Sequence, residues 1–338
     1  VKIGLIARSE HARGLAIQSK GFYDNMPVDR VLLVKMPRPD CRLADDWYPG
    51  ATVVNSLPGH TLNETLVRDW LDGLDVVFSA ETPYDWRLPG WARQMGVRTV
   101  IQGNPEFTRH GLAGYDDLEP PDEWWWPTHW RLDKVPAGRV MPVPMPHRDP
   151  APHPGDEGLR VYHVVGQRAF ADRNGTDVVM RSLSLLRGKI DVTLYALDAS
   201  IPAPGPTRVR VRIHNEGMDD RWAMHAGQHL LVLPRRYGGL CLPALEAAAC
   251  GVAVLMSACS PNDEFTALTV SAPPPRTVRL AGGDVQVTNV HPADLASSLN
   301  WLAGSPDVVA AEMRRAWSAA PRWDEWRPRY LAAFAELL

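Results

Sequence analysis

Residues 230–257 read LLVLPRRYGGLCLPALEAAACGVAVLMS, a string whose residue types are arranged to hold an anion. An apolar run ends at Pro234, and Arg235 and Arg236 follow it. Gly238, Gly239 and Leu240 then form a turn before Pro243, which opens a helix that carries Glu246 and stops at Gly251. Proline near the start and glycine past the end fit the asymmetry of helix termini. Amides around a glycine pair, joined to the positive end of a helix, can bind a diphosphate without a metal. The arginine pair adds charge at the strand's carboxyl end. An ordinary strand-to-helix loop with a solvated arginine pair and a surface Glu has the same composition, so both readings stand at this point.

A second stretch, VYHVVGQRAFADRNGT at 161–176, repeats the theme: a strand ends at Gly166, a loop carries Arg168 and Arg173, and Asn174-Gly175 opens a helix over 178–186. Arginine can grip phosphate oxygens bidentately; alternatively, Asp172 and Arg173 form a surface pair. In the first half, RSEHARGLAI at 8–17 holds a lone Gly14 at a helix start. SAETPY at 79–84 and QGNPEF at 102–107 set Glu81, Asn104 and Glu106 at strand ends. Helix caps and turn formers have the same chemistry.

These residues need elements to place them. Short β-branched runs at 1–7, 31–35, 52–54, 75–79 and 98–102 alternate with helical stretches at 14–26, 63–71 and 87–95. Continuous apolar runs such as Val76-Val77-Phe78 suit a sheet covered on both faces, which predicts a doubly wound parallel sheet. Prolines 142, 144, 146, 150, 152 and 154 predict a stiff connector. The alternation then resumes, with strands expected at 160–165, 191–196, 209–214, 230–234 and 252–256. Two such halves place a ligand cleft at the carboxyl ends of their strands. Residues 271–289 break the rhythm and predict a loop or hairpin. Trp124-Trp125-Trp126 and Trp130 predict partly buried packing rather than a stacking platform.

The run GGLCLPALEAAACGVAV resembles the donor-site signature of the retaining GT-B glycosyltransferases of the family 4 type, Glu-Gly-Phe-Gly-Leu-Pro-x-x-Glu. Gly239, Leu242, Pro243, Leu245, Glu246, Ala247 and Gly251 match it. The family's first Glu falls on Gly238, and its Phe-Gly on Leu240-Cys241. PRRYGGLCLP followed by Ser260-Pro261-Asn262 is similar to a subgroup common in actinobacteria and their phages. The resemblance implies a GT-B fold of two Rossmann-like domains: residues 1–145 on the acceptor side, a linker at 146–157, and a nucleotide-sugar domain at 158–321. A terminal helix at 322–338 crosses back onto the first domain. It implies that Glu246 binds ribose hydroxyls and that Gly239 and Leu240 face sugar and phosphates. Arg168 and Arg173 take the place of the family's two diphosphate cations, with Asn174 where the family has Lys. Gly14 corresponds to its glycine-rich loop, and Glu81, Asn104 and Glu106 to the acceptor edge.

The activity so implied is transfer of a sugar from a nucleotide-diphosphate donor, with retention and without a cofactor or metal. The acceptor stays open among protein, glycan, lipid and modified nucleic acid. A nucleotide-sugar epimerase, a phosphorylase, or a catalytically silent GT-B subunit suggested by Gly238 are the alternatives. The absence of any Asp-x-Asp fits metal independence, and His225 and His229 have metal-pair spacing but lack the Glu and third ligand of a zinc site. With 36 basic and 39 acidic residues, a net charge of −3 argues against a generally basic nucleic-acid binder. Four cysteines without a Cys-x-x-Cys pair predict reduced thiols, and no apolar run reaches the length of a membrane span. Val1 opens directly into an apolar segment, which predicts a cytoplasmic protein.

Overall fold

The computed structural model describes the chain apart from residues 10–13, 37–44, 58–60, 106–118, 155–156, 167–171, 197–200, 216–217, 219 and 281–282. It contains two compact units: Val1–Pro144 with Trp323–Leu338, and Met145–Leu280 with Asp284–Arg322.

In the first unit the elements run β1 (Ile3–Arg8), α1 (Gly14–Asn25), β2 (Val28–Lys35), β3 (Thr52–Asn55), α2 (Glu64–Leu71), β4 (Val76–Ala80), α3 (Leu88–Gln94), β5 (Arg98–Gln102), β6 (Glu123–Trp126) and β7 (Arg139–Val140). The strands form one parallel sheet in the order β3-β2-β1-β4-β5-β6-β7. Strand order therefore reverses between β1 and β4, which pair Leu5 with Phe78. The helices arise from ordinary local rules. Asn63 caps α2 by accepting the Leu66 amide at 3.1 Å, and Val67, Trp70 and Leu71 lie on its buried face.

The second unit continues with β8 (Leu159–Val164), α4 (Thr176–Ser182), β9 (Ile190–Tyr195), β10 (Arg210–His214), β11 (Leu230–Leu233), α5 (Leu242–Ala249), β12 (Ala253–Ser257), α6 (Asn262–Phe265) and β13 (Leu268–Val270). It is completed by a two-stranded sheet, β14 (Arg276–Leu280) and β15 (Gly283–Val287), then α7 (Pro292–Ala303) and α8 (Pro306–Ala319). Its main sheet is also parallel, ordered β10-β9-β8-β11-β12-β13, and reverses between β8 and β11. β14 and β15 pair within the stretch for which a loop or hairpin is expected. Arg148 and Ala151 of the Pro-rich run donate their amides to Ala249 and Cys250 at the end of α5, so this segment is pinned to the second unit.

The remaining helix, α9 (Trp323–Leu337), belongs to the first unit. Its Phe334 and Tyr330 enter the aromatic core built by Phe22, Phe78 and Trp125; Phe22 stacks on Phe78 at 4.1 Å, and Trp125 lies 4.8 Å from Phe334. A buried polar chain threads that core. Gln18 donates to Gln102, whose amide donates to the Met141 carbonyl and the Tyr330 hydroxyl, and Tyr330 donates to the Pro142 carbonyl. The tryptophan run is strand β6 itself, with all three side chains buried. Cys241, Cys250 and Cys259 are free thiols, and no helix among the described residues is long and apolar enough to cross a membrane.

Candidate functional site

In the second unit, the two sequence stretches meet at the reversal point of the sheet, where β8 and β11 are neighbours. Open α/β sheets bind ligands at the carboxyl ends of their strands at such a point. His163 on β8 locks the arrangement. Its Nδ1 lies 2.7 Å from the Val232 carbonyl, which can only accept, so Nδ1 carries the hydrogen and Nε2 accepts from the Thr176 hydroxyl at 2.9 Å. Burial lowers the pKa of this imidazole and keeps it neutral.

The loop after β8 is held by its own carboxylate. Asp172, in the left-handed region at φ 48°, accepts the amides of Thr176 (3.0 Å) and Asp177 (2.8 Å) and so caps α4. Burial raises the Asp172 carboxyl, but these amide bonds outweigh it and hold the group below its ordinary value. Asp172 is therefore a helix cap, which replaces the simple surface pairing with Arg173 considered from sequence. Asn174 donates to the Val164 carbonyl at 2.9 Å and packs against Gly166, where a Cβ would stand 2.8 Å from its amide nitrogen. Gly175 has φ 72°, and a Cβ there would lie 2.4 Å from the Pro234 carbonyl oxygen. Only glycine lets the start of α4 approach the end of β11 so closely.

The loop after β11 is tied to the same structure. The Arg236 amide donates to the Arg173 carbonyl at 2.9 Å; its guanidinium donates to the Asp172 carbonyl at 3.1 Å and to the Asp177 carboxylate at 2.6 Å. Arg235 is 1% exposed and donates to the Leu240 carbonyl at 2.5 Å, bracing the Gly238–Leu240 turn from inside. Gly238 has φ 117°, a backbone conformation that a residue with a Cβ would enter only under strain. Glu246 lies on the buried face of α5. Arg221 Nη2 is 3.1 Å from its Oε1, and His225 Nε2 is 3.8 Å from its Oε2.

The structure thus brings Gly166, Arg173, Asn174, Arg235, Arg236, Gly238, Gly239 and Leu240 into two adjoining loops, with Glu246 on the helix behind the second. Arg168 lies outside the described residues. Sequence spacing alone does not assign Arg236 its bracing contacts or surround Glu246 with Arg221, His225 and Tyr162. The one sequence signal at the latter place is the His225/His229 spacing, and the structure separates that pair. His225 faces Tyr162, whereas His229 meets Arg160, and burial with that neighbouring charge pushes its pKa down to about 4. Among the described residues no group of three or more His, Cys, Asp or Glu is arranged to hold a metal.

In the first unit, the ends of β4 and β5 bring Glu81 and Asn104 together, with the Asn104 amide donating to the Glu81 carboxylate. Glu81 (φ 61°) and Tyr84 (φ 63°) both occupy the left-handed region, in a turn closed by the Ser79 hydroxyl donating to the Thr82 carbonyl at 2.5 Å. Non-glycine residues held there cost about 1–3 kcal/mol each, and such strain clusters at functional sites. Gly14 is the exposed first residue of α1, after β1. Glu106 lies outside the described residues.

Neither protein-family models nor curated proteins give a match to the sequence. Solved structures do match it. Anabaena HepE in complex with UDP and glucose gives a TM-score of 0.66 at 11% identity, over 99% of each chain. The lipopolysaccharide outer core galactosyltransferase WaaB gives 0.62 at 13% identity, over 100% of each chain. Sucrose-phosphate synthase from Thermosynechococcus elongatus gives 0.60 at 13% identity, over 99% of this chain and 98% of that one. At such identities the likeness establishes architecture: the chain is built from two parallel-sheet, Rossmann-like units with the fold of the GT-B glycosyltransferases.

Proposed function

We propose that this chain is a glycosyltransferase that takes its sugar from a nucleoside-diphosphate donor, retains the anomeric configuration and uses no metal bridge. The observation that carries the reading is the convergence of Arg173, the Gly238–Leu240 turn and the Glu246 helix at the β8/β11 reversal point. Structures of the same fold that hold UDP or UDP-glucose support it. In the transfer, the bond from the anomeric carbon to the diphosphate breaks with both electrons leaving on phosphate oxygen. An acceptor hydroxyl oxygen forms the new bond, and its proton goes to the departing diphosphate, which holds the electron pair. A preorganised cation beside the diphosphate favours that charge as it develops. Arg173 is assigned this role, with Arg168 as its companion. Arg235 and Arg236, whose guanidinium groups meet Leu240, Asp172 and Asp177, hold the loops in place. Glu81 and Asn104 are assigned to the acceptor side.

The direct test is a screen of nucleotide sugars for donor hydrolysis by the purified protein, followed by acceptor trials with the preferred donor. No turnover of any nucleotide sugar, with no binding of any nucleoside diphosphate, overturns the proposal. Glu246→Gln keeps the side-chain shape but removes the charge, and is expected to weaken nucleoside-diphosphate binding by about 1–3 kcal/mol, the scale for hydrogen bonds to a charged group. Titration calorimetry reads this, and unchanged affinity removes Glu246 from the site.

Metal independence has its own test. The sequence has no Asp-x-Asp, and arginine with backbone amides supplies the positive field. Donor turnover is expected to persist in excess EDTA; loss of turnover that manganese or magnesium restores rules this part of the proposal out.

A further inference from the structure

β10 is the outermost strand at one side of the second unit's main sheet, and with the two residues before it the chain reads RVRVRIH. Arg208, Arg210, Arg212 and His214 are exposed, whereas Val209, Val211 and Ile213 between them pack against the core. Side chains two positions apart on a strand share a face and stand about 6.6 Å apart, so the three guanidinium groups and the imidazole form one row. The neighbouring strand β9 supplies one carboxylate to that row. This is Asp191, which lies 3.3 Å from Arg210 and 3.8 Å from Arg212. At the far end, His214 stacks on Tyr195 with ring centroids 5.0 Å apart.

β10 pairs with β9 from Arg210 to His214, and among the described residues no strand pairs with its other edge. That edge presents main-chain N–H and C=O groups beside a row of positive charge. Charge on an edge strand discourages pairing, but it does so selectively. Opposed residues of two paired strands share a face, and like charges directly opposite are destabilising. Two copies of β10 laid antiparallel about Val211 would set Arg210 against Arg212 and Arg208 against His214. A shift by one residue would instead set arginine on the apolar face. The edge therefore rejects a second copy of itself. It suits a strand whose alternate residues are acidic and whose intervening residues are apolar, because Val211 and Ile213 are half-buried at the margin of the core and an added apolar side chain extends it.

We propose that the outer edge of β10 is a docking site for an extended acidic segment of a partner polypeptide, which adds as a further strand with Asp or Glu at alternate positions facing Arg208, Arg210 and Arg212. In this mode of recognition main-chain hydrogen bonds supply affinity and the side chains supply selectivity. Here the selectivity is charge complementarity along one face. In the sheet order β10 stands two strands from β8, so the surface is separate from the β8/β11 reversal point and independent of the transfer reaction.

The test is fluorescence anisotropy of the full chain with two labelled peptides of equal charge and composition, one alternating Glu and Val, the other with all its Glu before all its Val. The alternating peptide is expected to bind at least about tenfold more tightly, since only it sets a carboxylate opposite each arginine. Arg210→Glu combined with Arg212→Glu should lower its affinity at least about tenfold and confer binding of a peptide alternating Lys and Val. Thermal unfolding checks that this variant is folded. Arg210→Gln combined with Arg212→Gln removes the charge without reversing it, should also weaken binding of the alternating peptide, and keeps the test valid if the reversed variant folds poorly. Equal binding of the two acidic peptides means charge attraction without strand pairing and overturns the inference. So does an alternating peptide that does not bind, which leaves the arginines as edge protection alone, or an affinity unchanged in both variants. None of these outcomes depends on whether the chain turns over a nucleotide sugar.

Discussion

Arg173→Ala is expected to lower the rate of donor turnover by about 10²–10³, the usual cost of removing one preorganised electrostatic contact from a transition state. The melting temperature should move little, because several contacts that fix this loop are made by other groups. The Arg173 carbonyl accepts the Arg236 amide, Asp172 caps α4, and Arg236 bridges Asp172 and Asp177. Arg173→Lys should recover part of the rate, since it restores the charge without the bidentate geometry. A surface arginine with no part in the chemistry predicts the opposite pattern: near-normal turnover and a stability loss of at most about 1 kcal/mol. Donor hydrolysis rate and thermal unfolding, measured together on both variants, separate the two. Wild-type turnover in Arg173→Ala transfers the leaving-group role to Arg168.

Gly175→Ala should have the largest effect on stability. The left-handed backbone costs about 1–2 kcal/mol for a residue with a Cβ. That Cβ also meets the Pro234 carbonyl oxygen at 2.4 Å and Pro234 Cγ at 2.9 Å, and the backbone oxygen cannot rotate away. Overpacking of this kind adds about 1–3 kcal/mol. The combined loss of about 2–5 kcal/mol corresponds to a melting temperature lower by roughly 2–4 °C per kcal/mol for a unit of this size. Gly188→Ala is the matched control, with φ 82° and nothing within 4 Å of its added Cβ. It should show the backbone cost alone. Equal destabilisation of the two variants would falsify the close-approach account of Gly175.

Most of the fold can be read from hydrophobic periodicity, and the exceptions have physical reasons. The strand at 98–102 coincides with Arg98–Gln102, and the helix expected at 63–71 is α2 with Asn63 as its cap. Strand β6 has the sequence EWWW: tryptophan suits strands, but four residues with no apolar–polar alternation give no strand period to register. β7 has two residues and β13 three, too few for any period to register. At the site, composition identifies which residues gather but not how they divide the work. Arg236 meets Asp172 across 64 positions and Asp177 across 59, and Tyr162 meets His225 across 63. Such pairings are set by strand order, which no local window contains. Gly238 is the converse case. That a glycine stands where the resembled signature has Glu is visible in the sequence, whereas its φ of 117° is visible only in the backbone.

Tyr330 bonds Gln102 across 228 residues, and the helix that carries it buries Phe334 in the aromatic core of the first unit. This connectivity sets an order of events during synthesis. Domains generally form as units while the chain emerges, those nearer the amino terminus first. Here the leading unit lacks part of its core until residues 323–337 have been made, whereas every strand of the second unit's main sheet has by then appeared. The later unit can therefore mature first. The earlier one must wait with Phe22, Phe78 and Trp125 uncovered, a nascent apolar surface of the kind that recruits chaperones.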